Sequence, residues 1–275
     1  MEVTFWGVRG SIPCSGPDYR RVGGHTSCVS ASFDNTLVIF DAGTGMRDLG
    51  LWLKNEKPHI KTIHLFLSHA HYDHIIGFPF FGPIWDPSVH LNIYTTIMGP
   101  MGGIHHFFQH HLFQPPFFPV QLSQLQATFT FHDISDGDHL TILPHVGVDV
   151  FPLNHPGGAS GFRLQVNKKV MCYVSDTEHE PTKGPSKTIL NAIKDADLIV
   201  YDTSFTDEEY VHFQGWGHST WQEGVRLCLD AGVKRMALYH HDPSHTDTVM
   251  DAIELKAQSL FPGAFVARQG MTVIL

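Results

Sequence analysis

The sequence predicts a mixed α/β domain, and two observations lead to that fold class. Short apolar runs alternate along the chain with longer segments whose apolar residues recur at helical spacing. Neighbouring strand pairs occur in both halves of the chain with helices between them, an order that suits two packed sheets covered by helices. Of the 275 residues, 42% are hydrophobic, and we find no linker, low-complexity run or fixed repeat. We therefore expect a single domain over residues 1–275.

The predicted elements follow the chain in order. The short apolar runs predict strands near residues 2–7, 28–33, 36–41, 62–67, 90–95, 127–132, 147–153, 160–166, 169–175, 197–202, 234–239 and 271–275. The helical patterns predict helices near residues 44–54, 101–112, 185–195, 219–231 and 244–260. The fourth helix carries Thr220 and Glu223 at the spacing of a capping box, which marks a helix start.

Residues 69–74, with the sequence HAHYDH, place three imidazoles and one carboxylate within six positions. They follow the apolar run 63–67, which is of strand type. In an extended segment His69 and His71 point to the same side, while Asp73 and His74, entering the next element, can turn toward a second centre. The segment can therefore hold two metal ions side by side.

This pattern resembles the HxHxDH motif of the metallo-β-lactamase superfamily, whose members carry it on the loop after a central strand. The later motifs of the superfamily occur in the expected order, each at the end of a predicted strand: His155, Asp176 and His240. His241 competes for the last position, but the superfamily places its ligand directly at the strand end. The resemblance implies a four-layered αββα sandwich, an α+β fold in which the metal loops gather at one edge.

By this resemblance, seven side chains share two divalent metal ions. One ion would be held by His69, His71 and His155, the other by Asp73, His74 and His240, with Asp176 between them. Imidazole and carboxylate ligation without cysteine suits zinc, with manganese or iron as alternatives. Two ions about 3.5 to 4 Å apart would lower the pKa of a shared water and neutralise charge on the group that it attacks.

Two further segments resemble parts of the superfamily outside this ligand set. Asp41 resembles the aspartate that braces the metal loops without binding metal. His218, followed by Ser-Thr, resembles the ribonuclease Z branch and maps as a general acid, with Asp202 as its orienting partner. That branch usually has glutamate where this chain has Asp202. We expect Asp73, His218 and Asp202 to be the catalytic residues, although residues 217–219 could simply form a helix start.

Charge and cysteine usage exclude several classes of protein. The formal net charge of −9 gives no general attraction to a polyanion. The cysteines show no CxxC spacing, which speaks against a disulfide framework and a thiolate metal site. We recognise neither a signal peptide nor a membrane span, so a cytoplasmic location without a membrane partner is the default expectation.

Residues 77–119 are dense in aromatic side chains and contain the tract HHFFQHH at residues 105–111. The rings could form a lid on which a base stacks, or they could belong to the core or to a homodimer interface. The histidine tract fits a helix with one aromatic and one polar face better than a metal site.

These features predict a dinuclear metal-dependent hydrolase, a phosphodiesterase acting on a small phosphodiester such as a cyclic nucleotide. The tRNA-processing relatives carry a long arm between the third histidine and the bridging aspartate, but only 20 residues separate His155 from Asp176. A long nucleic acid is therefore not the expected partner. Three alternatives stay open: a lactonase or other ester hydrolase, a persulfide dioxygenase with one iron, and a non-catalytic metal-binding module.

Overall fold

A computed structural model describes residues 1–99, 102–180 and 184–275, and its strands form two seven-stranded sheets. In spatial order, the first sheet contains β14 (Thr272–Ile274), β1 (Glu2–Gly7), β2 (Cys28–Phe33), β3 (Thr36–Phe40), β4 (Thr62–Phe66), β5 (His90–Thr95) and β6 (Thr128–Asp133). The second contains β13 (Ala264–Val266), β12 (Met236–Tyr239), β11 (Leu198–Asp202), β10 (Lys169–Val174), β9 (Ala159–Val166), β8 (Val146–Leu153) and β7 (His139–Leu143). The α-helices are α1 (Met46–Glu56), α2 (Tyr72–Ile75), α3 (Ile104–Phe107), α4 (Lys187–Ile193), α5 (Asp207–Tyr210), α6 (Trp221–Ala231) and α7 (Asp247–Leu260).

The two sheets face each other and helices cover their outer faces. Along β3, Val38 and Phe40 join the apolar core shared by the sheets, whereas Leu37 and Ile39 join a second core beneath α1. This alternation is what a strand buried on both faces requires. Helices α4, α6 and α7 pack on the second sheet. The four-layered αββα sandwich of the metallo-β-lactamase fold is thus confirmed.

Parallel pairing within each sheet determines where the strand-end loops lie. Strands β3, β4 and β5 run parallel, with Phe40 opposite Phe66, and β10, β11 and β12 run parallel, with Asp202 opposite Tyr239. The carboxyl ends of parallel strands meet at the same edge of a sheet, which is where open α/β sheets bind ligands. The loops after these strands therefore gather at one edge of the sandwich.

All the predicted strands are present within a residue or two of their expected ends, but some short elements were not predicted. Strand β7 was missed because it is a partly exposed edge strand, and β13 because it has only three residues. Helices α2 and α5 have four residues each, too few for a helical repeat. The expected cap of α6 is confirmed, since the Thr220 hydroxyl accepts from the amide of Glu223 at 3.1 Å.

The aromatic region 77–119 lies mostly in the second core. The first residue of the helix predicted at 101–112 falls outside the described residues; α3 is followed by a π-helical turn, Phe108–Leu112. Five of the rings are buried: Phe78, Phe81, Phe107, Phe108 and Phe113. Phe80 and Phe117 are exposed, so a lid stays a prediction for those rings. In the described part of the chain, no helix combines the length and apolarity needed to span a bilayer.

Candidate metal centre

The side chains of the seven predicted ligands converge at the sheet edge. Asp176 lies at their centre, and its two carboxylate oxygens face different imidazoles. Its Oδ1 is 3.3 Å from His74 Nε2 and 3.2 Å from His240 Nε2. Its Oδ2 is 3.5 Å from His69 Nε2 and 3.8 Å from His155 Nε2. A carboxylate in this position can serve two centres, one through each oxygen.

The remaining distances fit two adjacent tetrahedral sites. His71 Nδ1 lies 3.2 Å from His155 Nε2 in the first group. In the second, Asp73 Oδ2 lies 3.3 Å from the Nε2 atoms of both His74 and His240. Ligand atoms bound tetrahedrally to zinc at about 2.0 to 2.1 Å stand roughly 3.3 to 3.4 Å apart. The donor atoms of each group lie within 4.8 Å of one another, close enough for the group to hold a metal ion.

Hydrogen bonds at the far side of the imidazoles fix which nitrogen faces the cluster. His74 Nδ1 donates to the Asp41 carboxylate at 2.7 Å, and His155 Nδ1 donates to the carbonyl oxygen of Gly217 at 2.8 Å. His69 Nδ1 lies 3.0 Å from the hydroxyl of Ser68. Each Nε2 is therefore turned inward, and that of His69 is buried without a hydrogen-bond partner. Such inward lone pairs are what a metal site needs.

The electrostatics of the cluster favour bound positive charge. Burial lowers the pKa of His74, but the carboxylates of Asp176, Asp73 and Asp41 outweigh it and raise that pKa well above its ordinary value. Burial also opposes ionisation of Asp176, yet the surrounding imidazoles hold its pKa well below the usual range. Burial lowers the pKa values of His69, His71 and His155, which favours the neutral imidazoles that bind metal.

Asp41 braces the centre from below, as its resemblance implied. Its carboxylate accepts from the amide and hydroxyl of Ser68, each at 2.7 Å, and from the hydroxyl of Tyr173 at 2.8 Å, besides His74. Asp41, Asp176 and His240 have φ angles of 60°, 59° and 58°. Asp41 and His240 directly follow β3 and β12, and Asp176 lies one residue further from the end of β10. The left-handed turns accompany side chains that enter the cluster at Asp176 and His240 and that support His74 at Asp41.

The N-terminal loop contributes to the site in a way that the sequence did not reveal. The amide of Ser11 donates to Asp73 Oδ2 at 2.7 Å. A Cβ atom at Gly10 would lie 2.5 Å from the ring of His240, so only glycine fits there. Ser204 is another residue that was missed: its hydroxyl donates to Asp202 at 2.7 Å and lies 3.1 Å from His240 Nδ1. A backbone amide and a lone serine carry no recognisable motif.

His218 and Asp202 are brought together beside the cluster. His218 Nδ1 lies 2.9 Å from Asp202 Oδ2, and the His218 ring centroid is 4.9 Å from that of His240 and 5.4 Å from that of His155. Burial lowers the pKa of His218, but the carboxylate of Asp202 reverses this and raises it to about 9. The pair can present a protonated imidazole to a group held at the centre.

His241, the competitor of His240, faces away from the cluster. Its ring is fully buried and its Nε2 donates to the carbonyl oxygen of Ala267 at 3.0 Å. His71, in contrast, is exposed, so the cluster is open to solvent on the side of the HAHYDH segment. A substrate can therefore approach on that side.

Comparison with known proteins identifies the family. The family model of the β-lactamase superfamily domain matches residues 36–241. The chain belongs to the metallo-β-lactamase superfamily. Ribonuclease Z of Sulfurisphaera tokodaii is 27% identical to this chain over 266 residues, and the alignment covers 83% of this chain and 85% of the relative. This superfamily member is a dinuclear metal-dependent hydrolase of the ribonuclease Z-like branch.

Two solved structures have the same fold as this protein. The metallo-β-lactamase fold protein YhfI from Bacillus subtilis aligns with a TM-score of 0.74 and 18% identity, covering 99% of this chain and 98% of its own. A diphosphatase from the PhnP family aligns with a TM-score of 0.72 and 17% identity, covering 100% of this chain and 97% of its own. At these identities the likeness supports the fold alone.

Proposed function

We propose that this protein is a phosphodiesterase that acts on a small phosphodiester such as a cyclic nucleotide. The observation that carries the proposal is the His218 and Asp202 pair beside the carboxylate-bridged imidazole cluster. An alkyl phosphodiester releases an alkoxide, which a positioned imidazolium can protonate.

We further propose that the metal ions are zinc and that the seven side chains hold two of them. The spacings near 3.3 Å match tetrahedral zinc with imidazole and carboxylate ligands. Two such ions supply an activated water and neutralise the charge of the phosphate. Asp73 then acts in catalysis by keeping its carboxylate beside His74 and His240, oriented by the amide of Ser11.

The protein's own residues carry the proton to the leaving group. When the bond between phosphorus and the leaving oxygen breaks, its electron pair stays on that oxygen. His218 supplies the proton from Nε2, because Nδ1 is engaged by Asp202. Asp202 is fully buried and also accepts from the amides of Thr177 and Ser204, at 3.2 and 3.1 Å. These bonds hold the carboxylate still while the imidazole changes charge.

The preference for a small substrate rests on the shape of the chain between His155 and Asp176. Strands β8, β9 and β10 form a simple meander there, joined by short turns at residues 154–158 and 167–168. This segment offers no protruding arm that could grip the elbow of a tRNA. The net charge of −9 also gives no steering toward long polyanions.

RNA processing is the second candidate function. It is favoured by the similarity to ribonuclease Z of Sulfurisphaera tokodaii, since relatives of that name act on RNA. The chemistry at phosphorus would be the same, so the two candidates differ only in substrate size.

A substrate panel separates these candidates. With zinc or manganese supplied, kcat/KM should be higher for cyclic nucleotides and nitrophenyl phosphodiesters than for precursor tRNA. A higher kcat/KM for 3′ processing of precursor tRNA would favour the second candidate. If a lactone is hydrolysed and no phosphodiester is, the proposed reaction class is wrong.

The role of His218 has its own test. His218→Ala should retain both ions while lowering turnover of an unactivated phosphodiester by about 100-fold or more. Turnover of a nitrophenyl phosphodiester should fall less, because its leaving group needs little protonation. The exposed His212, on the same loop, provides a control: His212→Ala should leave both rates unchanged. Equal losses on both substrates would assign His218 a structural duty instead.

A further inference from the structure

The loop before His218 serves two parts of the site at once. The carbonyl oxygen of Gly217 accepts from the metal-facing histidine His155, and the next residue is the proposed proton donor. Gly215 and Gly217 have φ angles of 87° and 86°, the left-handed region that favours glycine. The ring of Phe213 stacks on that of Phe205, and Asp202 orients the ring of His218. The two glycines, however, have no side chain that could fix the backbone at their own positions.

The carboxylate of Glu178 holds this loop. Its Oε1 accepts from the amide of Gly215 at 2.6 Å and its Oε2 accepts from the amide of Gly217 at 2.9 Å. The hydroxyl of Tyr210, at the end of α5, also donates to Oε1 at 2.9 Å. Both oxygens are thus engaged with the segment that leads to His218.

The backbone of Glu178 is fixed to the rest of the centre. Its amide donates to the carbonyl oxygen of Asn154 at 2.7 Å, and its own carbonyl accepts from Asn154 Nδ2 at 3.0 Å. Asn154 directly precedes His155, and Glu178 lies two residues after Asp176. Glu178 therefore connects the loops that carry His155, Asp176 and His218.

We infer that Glu178 is a positioning residue that sets the place of His218 relative to the bound phosphodiester. The inference rests on the proposed function, because it assigns Glu178 an effect on proton donation. Only a carboxylate has two acceptor oxygens for two amide donors; a glutamine would turn its NH2 group toward one of them. Displacement of a reacting group by 1 Å can cost about 100-fold in rate.

The test compares two phosphodiesters that share a nucleoside, the p-nitrophenyl and the methyl ester of thymidine 5′-phosphate. Glu178→Ala should lower kcat for the methyl ester at least about 10-fold more than for the nitrophenyl ester, the pattern of a misplaced general acid. Glu178→Gln preserves the side-chain volume and should show the same selectivity in milder form. Glu208→Gln removes an exposed carboxylate from the neighbouring helix α5 and should change neither rate.

A double variant distinguishes positioning from a general structural effect. If Glu178 acts through His218, adding Glu178→Ala to His218→Ala should leave the ratio of the two rates unchanged. If the two substitutions change that ratio by the product of their separate effects, the inference is wrong. It is also wrong if the Glu178 variants lose the same fraction of activity on both esters, or if they lose only their metal ions. If the wild-type enzyme cleaves neither ester, the proposed function itself is wrong.

Discussion

Replacing Asp176 by alanine should weaken the binding of both metal ions together. The carboxylate places Oδ1 within 3.3 Å of two imidazole nitrogens and Oδ2 within 3.8 Å of two others. Each proposed ion would thus lose one of four protein ligands. Loss of an outer-shell partner alone commonly costs about 10- to 100-fold in metal affinity, so loss of a direct ligand should cost at least about 100-fold at each ion.

The assay is a zinc titration at buffered free-metal concentrations, with metal per chain measured by elemental analysis. The wild-type protein should hold close to two ions, and both binding steps should shift in Asp176→Ala. Asp73→Ala is the matched control, because Asp73 lies beside His74 and His240 of the second group, and it should shift one step alone. A shift of one step in Asp176→Ala would refute the bridging assignment. One iron with oxygen consumption on persulfides would instead support the dioxygenase.

Three other predictions concern two residues beside the centre and one buried histidine of β4. Gly217→Ala should abolish activity and weaken the binding of one metal ion, because the added Cβ would lie 2.3 Å from His155 Nδ1. Gly215 has a similar φ but open space around it, so Gly215→Ala should lose far less activity. Similar kcat/KM and zinc binding in the two variants would contradict this. Asp41→Asn should lower zinc affinity by about 10- to 100-fold, since an amide cannot accept all four hydrogen bonds; an unchanged titration would remove Asp41 from the site. Burial, with His132 and His90 nearby, lowers the pKa of His64 to about 4, below its value in the unfolded chain. The neutral His64 therefore contributes to stability above pH 6.5, and this contribution is lost as the pH falls toward 4. Between pH 7.5 and 5, urea unfolding of the metal-free protein should therefore lose about 2 kcal/mol more in wild type than in His64→Phe, and parallel pH curves would contradict the assignment.

The fold and the convergence of the proposed ligands could be predicted because their signals are local. The strands that lead to His69, Asp176 and His240 end one to three residues before them, so the chemistry and the strand boundary mark nearly the same positions. The contacts of Ser11 and Glu178 could not be predicted, because each joins backbone amides to carboxylates far away in the chain. Ser11 and Asp73 are 62 positions apart in the sequence. The donor is a backbone amide, so the residue type at position 11 gives no sign of the contact.

The departure at Asp202 shows the same limit in another form. A glutamate is usual at this position in the branch that the chain resembles, and the shorter aspartate put the pairing with His218 in question. The structure still places the two groups 2.9 Å apart, because the residues that follow them pair: the amide of Phe205 donates to the carbonyl oxygen of Ser219 at 3.1 Å. Side-chain length alone cannot predict such a distance when the backbone of a loop can compensate for it.

The left-handed turns at Asp176 and His240 have a consequence for directed evolution. Non-glycine residues in this conformation cost about 1 kcal/mol, and these two side chains are proposed metal ligands. A library selected only for heat resistance under chelation should therefore accumulate glycine or asparagine at positions 176 and 240, while Asp41, with four hydrogen bonds, should persist. Sequencing the selected variants would show at which positions the natural residue lowers the stability of the fold in favour of the metal centre.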